Sequence, residues 1–386
     1  MIYKVEDLFL RIRNGMSIKQ EMDAGGLPIT RIETIANAEI NLERVGHADL
    51  TMEQAKNYLL EDCEILFSHI NSVSHIGKCA LYKKDMGELV HGMNLLSFKP
   101  NQTLLFPKYA LYALRSQQFK DQLVKSIKKA VNQASVSIGD IKNITLNVPP
   151  LAQQQRIAAI LDKAAEIKAK RERAIAKLDE LAIAIFEEAV SRSQTIEALG
   201  ELCDVRDGTH DSPKYVAEGF PLITSRNIVD GKIDASTANY INEEDYMEIC
   251  KRSRVDHGDI LMPMIGTIGN PVIVKELTPK FAIKNVALIK FKSNSPSNIY
   301  INAFLKSRHF YKYVNKLSRG GTQKFLGLGD IRKLPIPMLA KESEVEFCTR
   351  LQRTNMLREQ TILKLAKVNS LVASLQHQAF TTGFNA

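Results

Sequence analysis

Tryptophan is absent from this chain of 386 residues, and its five cysteines, Cys63, Cys79, Cys203, Cys250 and Cys348, are odd in number and widely scattered. That pattern supplies neither a disulfide framework nor paired metal-ligand spacing, so the thiols read as small core residues. No stretch reaches the roughly 18 apolar residues of a membrane span. The start, Met1-Ile2-Tyr3-Lys4-Val5-Glu6-Asp7, lacks the basic-then-apolar pattern of a secretory leader. These absences predict a soluble, cytoplasmic protein.

Catalytic constellations are lacking too. There is no Gly-rich phosphate loop followed by Lys and Ser or Thr, which leaves ATP hydrolysis by this chain unsupported. Gly327-Leu328-Gly329 reads as a loop before a short strand. The histidines have no ligand spacing, and His210 beside Asp211 reads as a turn or solvated surface. Glu61, Asp62 and Glu64 suggest nuclease carboxylates, but no organised lysine and carboxylate set accompanies them, and they read better as residues leading into a strand. The expectation is no catalytic residue, no metal site and no cofactor bound by this chain.

Long Gly-free and Pro-free stretches are what the chain has instead. After Pro149-Pro150, about 35 residues rich in Ala, Leu, Glu, Lys and Arg predict a helix roughly 55 to 60 Å long. Its apolar stripe includes Ile157, Leu161, Ile167, Leu178, Leu181 and Ile185, spaced as a seam that must meet a partner helix. A second such stretch runs from Ser343 to Phe380, with Leu351, Leu357, Leu365, Val368 and Leu375 at similar spacing.

The segments before the two helices repeat one another. Residues 219–228 resemble 26–32 with a small insertion, 258–267 match 63–72, 284–292 match 93–99, 303–310 match 112–119 and 329–334 match 139–144. The same order at a separation of about 190 residues marks an internal duplication. The predicted fold is therefore α+β: two duplicated globular domains, 1–148 and 191–340, separated by two long antiparallel coiled-coil helices, 149–190 and 341–386 with the tail.

The formal charge of +9 and pI near 9.1 favour an anionic partner, with nucleic acid ahead of a membrane surface. Candidate contact residues are basic and amide-bearing. In the first half they are Arg31, Asn71, Lys128, Lys129, Asn132 and Gln133. In the second they are Thr224, Ser225, Arg226, Asn227, Arg319, Thr322, Gln323 and Lys324. Arg suits guanine and Asn or Gln adenine, whereas Lys and Ser more often meet phosphate. A stand-alone DNA-modifying enzyme and a protein-only structural adaptor remain open on these residues.

The passage from Leu146 to Asp162, an apolar-proline run followed by Gln154-Gln155-Arg156-Ile157, resembles the specificity subunit of type I restriction-modification enzymes. Gly327-Leu328-Gly329-Asp330-Ile331, Leu334-Pro335-Ile336-Pro337 and Gly320-Gly321-Thr322-Gln323 resemble its second half. The second helix departs from the pattern, with Glu344-Val345-Glu346-Phe347 where the first has Gln154-Gln155-Arg156-Ile157. The resemblance covers essentially the whole chain. It implies two target-recognition domains, each reading one half of a split double-stranded DNA target, with spacer helices fixing the gap. It also implies docking of two modification (methyltransferase) subunits and, in a full restriction complex, two motor-nuclease restriction subunits. S-adenosylmethionine, ATP and Mg would then sit on those partners, with no membrane partner.

Overall fold

A computed structural model describes residues 1–21, 25–129, 134–229, 231–266, 268–317 and 325–381, the side chains of 129 and 381 excepted. Two compact units divide it: residues 1–172 with 363–386, and residues 173–362. Each unit is an α+β module packed on part of each long helix.

In the first unit an antiparallel sheet carries the strands Phe9–Asn14, Leu96–Pro100, Ile65–Phe67 and Cys79–Leu81 in that spatial order. The second unit repeats it with Cys203–Asp207, Val286–Phe291, Ile260–Pro263 and Val272–Ile273. The central strands are buried on both faces, which accounts for their continuous apolar runs rather than strict alternation. A two-stranded ribbon precedes each long helix: Ile2–Lys4 with Thr145–Asn147, and Thr195–Ala198 with Pro335–Met338. Prolines are tolerated there because such a ribbon has a free hydrogen-bonding edge.

The duplication extends to backbone detail. Gly15 and Gly208 each lie so close to a neighbouring strand that a Cβ would come within 2.3 Å of the His91 carbonyl oxygen or 2.1 Å of that of Ile283. Glycine alone fits either position. Tyr109 donates to the Asn147 carbonyl at 3.2 Å and Tyr300 to that of Pro337 at 2.5 Å, each tying a helix to the ribbon. Gly26 aligns with Gly219 and Pro28 with Pro221 in matching strand pairs, without the insertion expected from the sequence.

One short segment differs from its sequence reading. Residues 328–332 form a short helix, Leu328–Arg332, in place of the expected loop, as Ile138–Lys142 does in the first unit. The basic stretch after residue 125 contains strand pairs as well as loop, with Lys128–Lys129 and Ala134–Ser135 joined to Ile70–Asn71.

The long helices span Leu151–Ser191 and Lys341–Thr381, 41 residues each and so about 60 Å long. Each is launched by a buried polar tie. The Gln154 carboxamide, wholly buried, accepts from the Phe106 amide at 2.8 Å and donates to the Leu104 and Pro149 carbonyls at 2.8 Å. Glu344 takes the same position in the second unit, accepting from the Ser297 amide at 2.7 Å. The departure in the second helix thus keeps the tie, and Phe347 fills the core as Ile157 does.

Side-chain burial follows a strict alternation of three and four. On the first helix the inward positions are Gln154, Ile157, Leu161, Ala164, Lys168, Arg171, Ile175, Leu178, Ala182, Ile185 and Ala189. On the second they are Phe347, Leu351, Thr354, Arg358, Thr361, Leu365, Val368, Val372, Leu375 and Ala379. This is the 3.5-residue period of a left-handed coiled coil. It corrects three of the expected packing residues: Ile167, Leu181 and Leu357 are 36%, 46% and 47% exposed, because the seam passes through Lys168, Ala182 and Arg358 beside them. Ile157, Leu161, Ile185 and Leu351 are buried, while Leu178, Leu365, Val368 and Leu375 are half-buried.

Antiparallel direction is explicit in the second unit, where Asp179 meets Arg358 at 2.5 Å, Glu188 meets Arg350 at 2.9 Å and Arg192 meets Glu346 at 3.8 Å. In the first unit Ala379 and Phe380 share a core with Ile157 and Leu161, the arrangement the same direction requires.

His69 and His91 are buried in the first unit, and burial pushes both down to about 4. Met264 and Ile283 occupy the matching positions of the second. A histidine neutral when folded but protonatable when unfolded costs stability as pH falls from its ordinary value towards the folded one, about 2 kcal/mol each by about pH 5. Hydrogen exchange at about pH 5 is therefore expected to deprotect the first sheet before the second; equal loss in both would refute the assignment.

Candidate nucleic-acid interface

The strongest polar feature in each module is a one-turn 3-10 helix at the end of a short strand. In the first, Leu27–Ile29 leads through Thr30 and Arg31 into Ile32–Ile35. The Arg31 amide donates to Thr34 Oγ1 at 2.9 Å, and the buried Thr34 hydroxyl donates to the Arg44 carbonyl at 2.9 Å. The Arg31 side chain is one-third exposed and lies 3.6 Å from Glu33.

In the second module Phe220–Ile223 leads through Thr224 into Ser225–Asn227. Asn227 Oδ1 accepts from the Thr224 amide at 3.0 Å and its hydroxyl at 2.9 Å, while Nδ2 donates to the Asp234 carbonyl at 3.2 Å. Asn227 is 3% exposed. This corrects its assignment as a presented contact residue: its amide is spent on the turn, and Arg226 is the exposed side chain, with Thr224 and Ser225 half-buried. The shared cap geometry sets Arg31 against Thr224, Glu33 against Arg226 and Thr34 against Asn227. One structural position therefore carries opposite charges in the two modules, a relation hidden by the insertion assumed from the sequence.

The second group of candidates lies on the small sheet of the first module. Asn71 pairs with Ala134 and accepts the Ser72 amide at 2.7 Å, leaving its side chain half-exposed. Lys128 is exposed opposite Ser135, and Lys129 lies opposite Ala134. The sheet edge recurs in the second module as the Ile265–Phe325 bridge. Asn132, Gln133, Arg319, Thr322, Gln323 and Lys324 lie outside the described residues.

The acidic residues considered for catalysis have structural partners. Buried Glu64 accepts from Arg11 at 2.8 Å and from the Glu61 amide at 3.0 Å, while Glu61 also meets Arg11 and Lys99. In the second module Asp259 accepts from Lys290 at 2.6 Å and from the Asp256 amide at 2.8 Å. Lys99 and then Arg11 hold Glu61 below the ordinary carboxylate range, and Lys290 does the same for Asp256. These carboxylates close the turn that enters the central strand. Among the described residues no group of three or more His, Cys, Asp or Glu side chains could hold a metal ion, and no helix is long and apolar enough to cross a membrane.

Twin α+β modules built on one sheet order, each packed on an antiparallel helix pair and each ending a strand in a capped polar turn, define a duplicated recognition scaffold. The chain belongs to the family of type I restriction modification DNA specificity domains, whose sequence model matches residues 1–178 and 195–367. Such chains are specificity subunits, a non-catalytic kind of subunit. The putative type I restriction enzyme MjaX specificity subunit of Methanocaldococcus jannaschii is 30% identical over 378 residues, covering 93% of this chain and 87% of that one. The EcoKI specificity subunit of Escherichia coli is 23% identical over 213 residues, covering 54% and 46%. The fold matches the crystal structure of the S subunit of a type I restriction-modification system from M. genitalium with a TM-score of 0.62 at 16% identity, covering 98% of this chain and 96% of that one.

The capped turn makes a direct prediction. Asn227→Ala, which empties the cap, is expected to lower stability by about 1–2 kcal/mol in denaturant unfolding, while exposed Arg226→Ala leaves it unchanged. Equal effects would show that Asn227 does not hold the turn.

Proposed function

We propose that each module reads one half of a bipartite DNA duplex, that the helix pair sets the number of unread base pairs between the halves, and that the chain delivers this target to methyltransferase and motor-nuclease subunits. The observation that carries the reading is the pair of capped turns, alike in backbone but offering Arg226 in one module and Glu33 beside Arg31 in the other. An exposed arginine can take guanine edges or phosphate, whereas a glutamate accepts from the cytosine amino group and repels phosphate. Two frames with unlike side chains suit two unlike half-sites.

The net charge of +9 supports a salt-sensitive backbone contribution to affinity, on which the base contacts impose sequence. S-adenosylmethionine, ATP and Mg belong on the partner subunits in this division of labour. A base to be methylated would be flipped into a partner's pocket.

Docking of those partners fits residues left outside the helical seam. Leu181, Ile183, Met356 and Leu357 are all exposed on the second unit's part of the helices, where no packing role accounts for them. Leu181→Lys with Leu357→Lys is expected to abolish co-purification of a methyltransferase subunit without lowering the melting temperature. Retained co-purification would remove this face from the docking surface.

Selection of randomised duplexes by the full chain with its methyltransferase partner tests the reading directly. Two short motifs at one fixed gap are expected. Arg226→Ala should weaken binding by about 1–3 kcal/mol and relax one half-site. Inserting one heptad in the middle of both helices preserves the seam and adds about 10 Å, so the gap should grow by about 3 base pairs. An unchanged gap would dismiss the helices as the ruler, and duplex retention without sequence preference would reduce the modules to backbone binders.

A further inference from the structure

His210, in the second module, has both ring nitrogens against oxygen atoms: Nε2 is 2.8 Å from Asp207 Oδ2 and Nδ1 is 2.8 Å from Asn285 Oδ1. A neutral imidazole has one donor nitrogen and one acceptor nitrogen, so with the Asn285 amide oxygen turned towards the ring, as here, both nitrogens donate and the ring carries two protons. We infer that His210 is a positioning residue which, as an imidazolium, fastens the segment following strand Cys203–Asp207 beside the Thr224–Asn227 turn and so makes recognition by the second module dependent on pH.

The backbone connects the two places. The Thr209 amide donates to the Ile283 carbonyl at 3.0 Å, the Asn285 amide to the Thr209 carbonyl at 3.2 Å and the Lys284 amide to the Ile223 carbonyl at 2.9 Å. Residues 283–285 therefore lie between the His210 segment and the residue that precedes Thr224. Lys284 reaches across to Ser212 Oγ at 2.5 Å, placing a further cation on the same segment. Asn285 holds its position with a left-handed φ of 55°, a conformation asparagine tolerates.

The charges around the ring are Asp207, Arg252 from helix Glu243–Ser253, Lys284 and the sequence neighbour Asp211. Asp207 is 5% accessible and shared between Arg252 and His210. The hydrogen bonds of Asn285 and then Asp207 raise the His210 pKa above its ordinary value, opposed by burial and by Arg252. Because the folded value is raised, the fastening is complete below the ordinary histidine pKa and is lost as pH rises through the folded one. In the first module Asn14 and Ser17 stand at the positions of Asp207 and His210, set by the matched glycines Gly15 and Gly208. Neither of those two side chains is ionisable near neutral pH.

The inference rests on the reading of the turns as DNA contacts, and two measurements separate the failure of each. Ring NMR of the full chain, with His210→Gln assigning the resonance, is expected to show His210 titrating above the ordinary histidine value. A midpoint at or below that value overturns the inference whatever DNA does. Randomised duplexes selected at about pH 6 and about pH 8, at constant ionic strength, should lose sequence preference at the second half-site several-fold while the first is unchanged. Asn285→Asp fixes oxygen atoms at that contact and should move the transition up by about one pH unit, and His210→Gln should remove it. Equal loss at both half-sites overturns the inference, and no duplex retention at either pH overturns the DNA reading beneath it.

Discussion

A buried polar tie at the root of each long helix is the constraint on which the rest of the structure depends. Gln154 uses its carboxamide oxygen on Phe106 and its nitrogen on Leu104 and Pro149, so a loop of the module and the first turn of the helix share one side chain. Removing it would take three hydrogen bonds from a part-buried junction, one from the Phe106 amide and two to the Leu104 and Pro149 carbonyls. Glu344 achieves the same closure with an acceptor alone, because the donor is the Ser297 amide at the start of helix Asn298–Leu305. Within each unit the direction in which the helix leaves its module is thereby set by short polar contacts, not by the broad apolar seam.

The seam sets which face of each helix turns inward. Alternation of three and four positions over nine or ten steps keeps one face inward along each helix, and ion pairs from Asp179, Glu188 and Arg192 to the opposing helix select the antiparallel arrangement. These pairs are partly exposed and individually worth little. Their value is in specificity, since a parallel or shifted pairing would set Arg350 and Arg358 against other residues. Lys168, Arg171 and Arg358 interrupt the apolar seam, and such polar positions trade stability for a defined register.

Much of the fold was legible because duplication and helix composition are long-range statistical signals. The two long helices, the α+β modules and the passage from Gln154 to Ile157 could all be read from residue order. The seam could be read only approximately. Ile167, Leu181 and Leu357 look like core residues by hydropathy, but a lysine stem, an alanine or an arginine stem can occupy an inward position while a leucine beside it stays outside. Asn227 failed differently. Its amide suits adenine and suits a turn cap equally, and the cap becomes evident once Thr224 and Asp234 are in place. The Asp207–His210–Asn285 contact was invisible because its members are held together by strand pairing across some 75 residues.

The contrast between frame and surface is what a two-site reader requires. Glycines, ribbon tyrosines, strand order and capped turns recur in both modules because each answers a steric or hydrogen-bonding demand of the same backbone. Exposed side chains outside that frame have diverged, Glu33 against Arg226 and Ser17 against His210. A change at one of these positions alters charge without disturbing the core, so each module can acquire its own chemistry on an unchanged scaffold. Duplication supplies two recognition frames, and divergence at exposed positions such as these gives each frame its own surface chemistry.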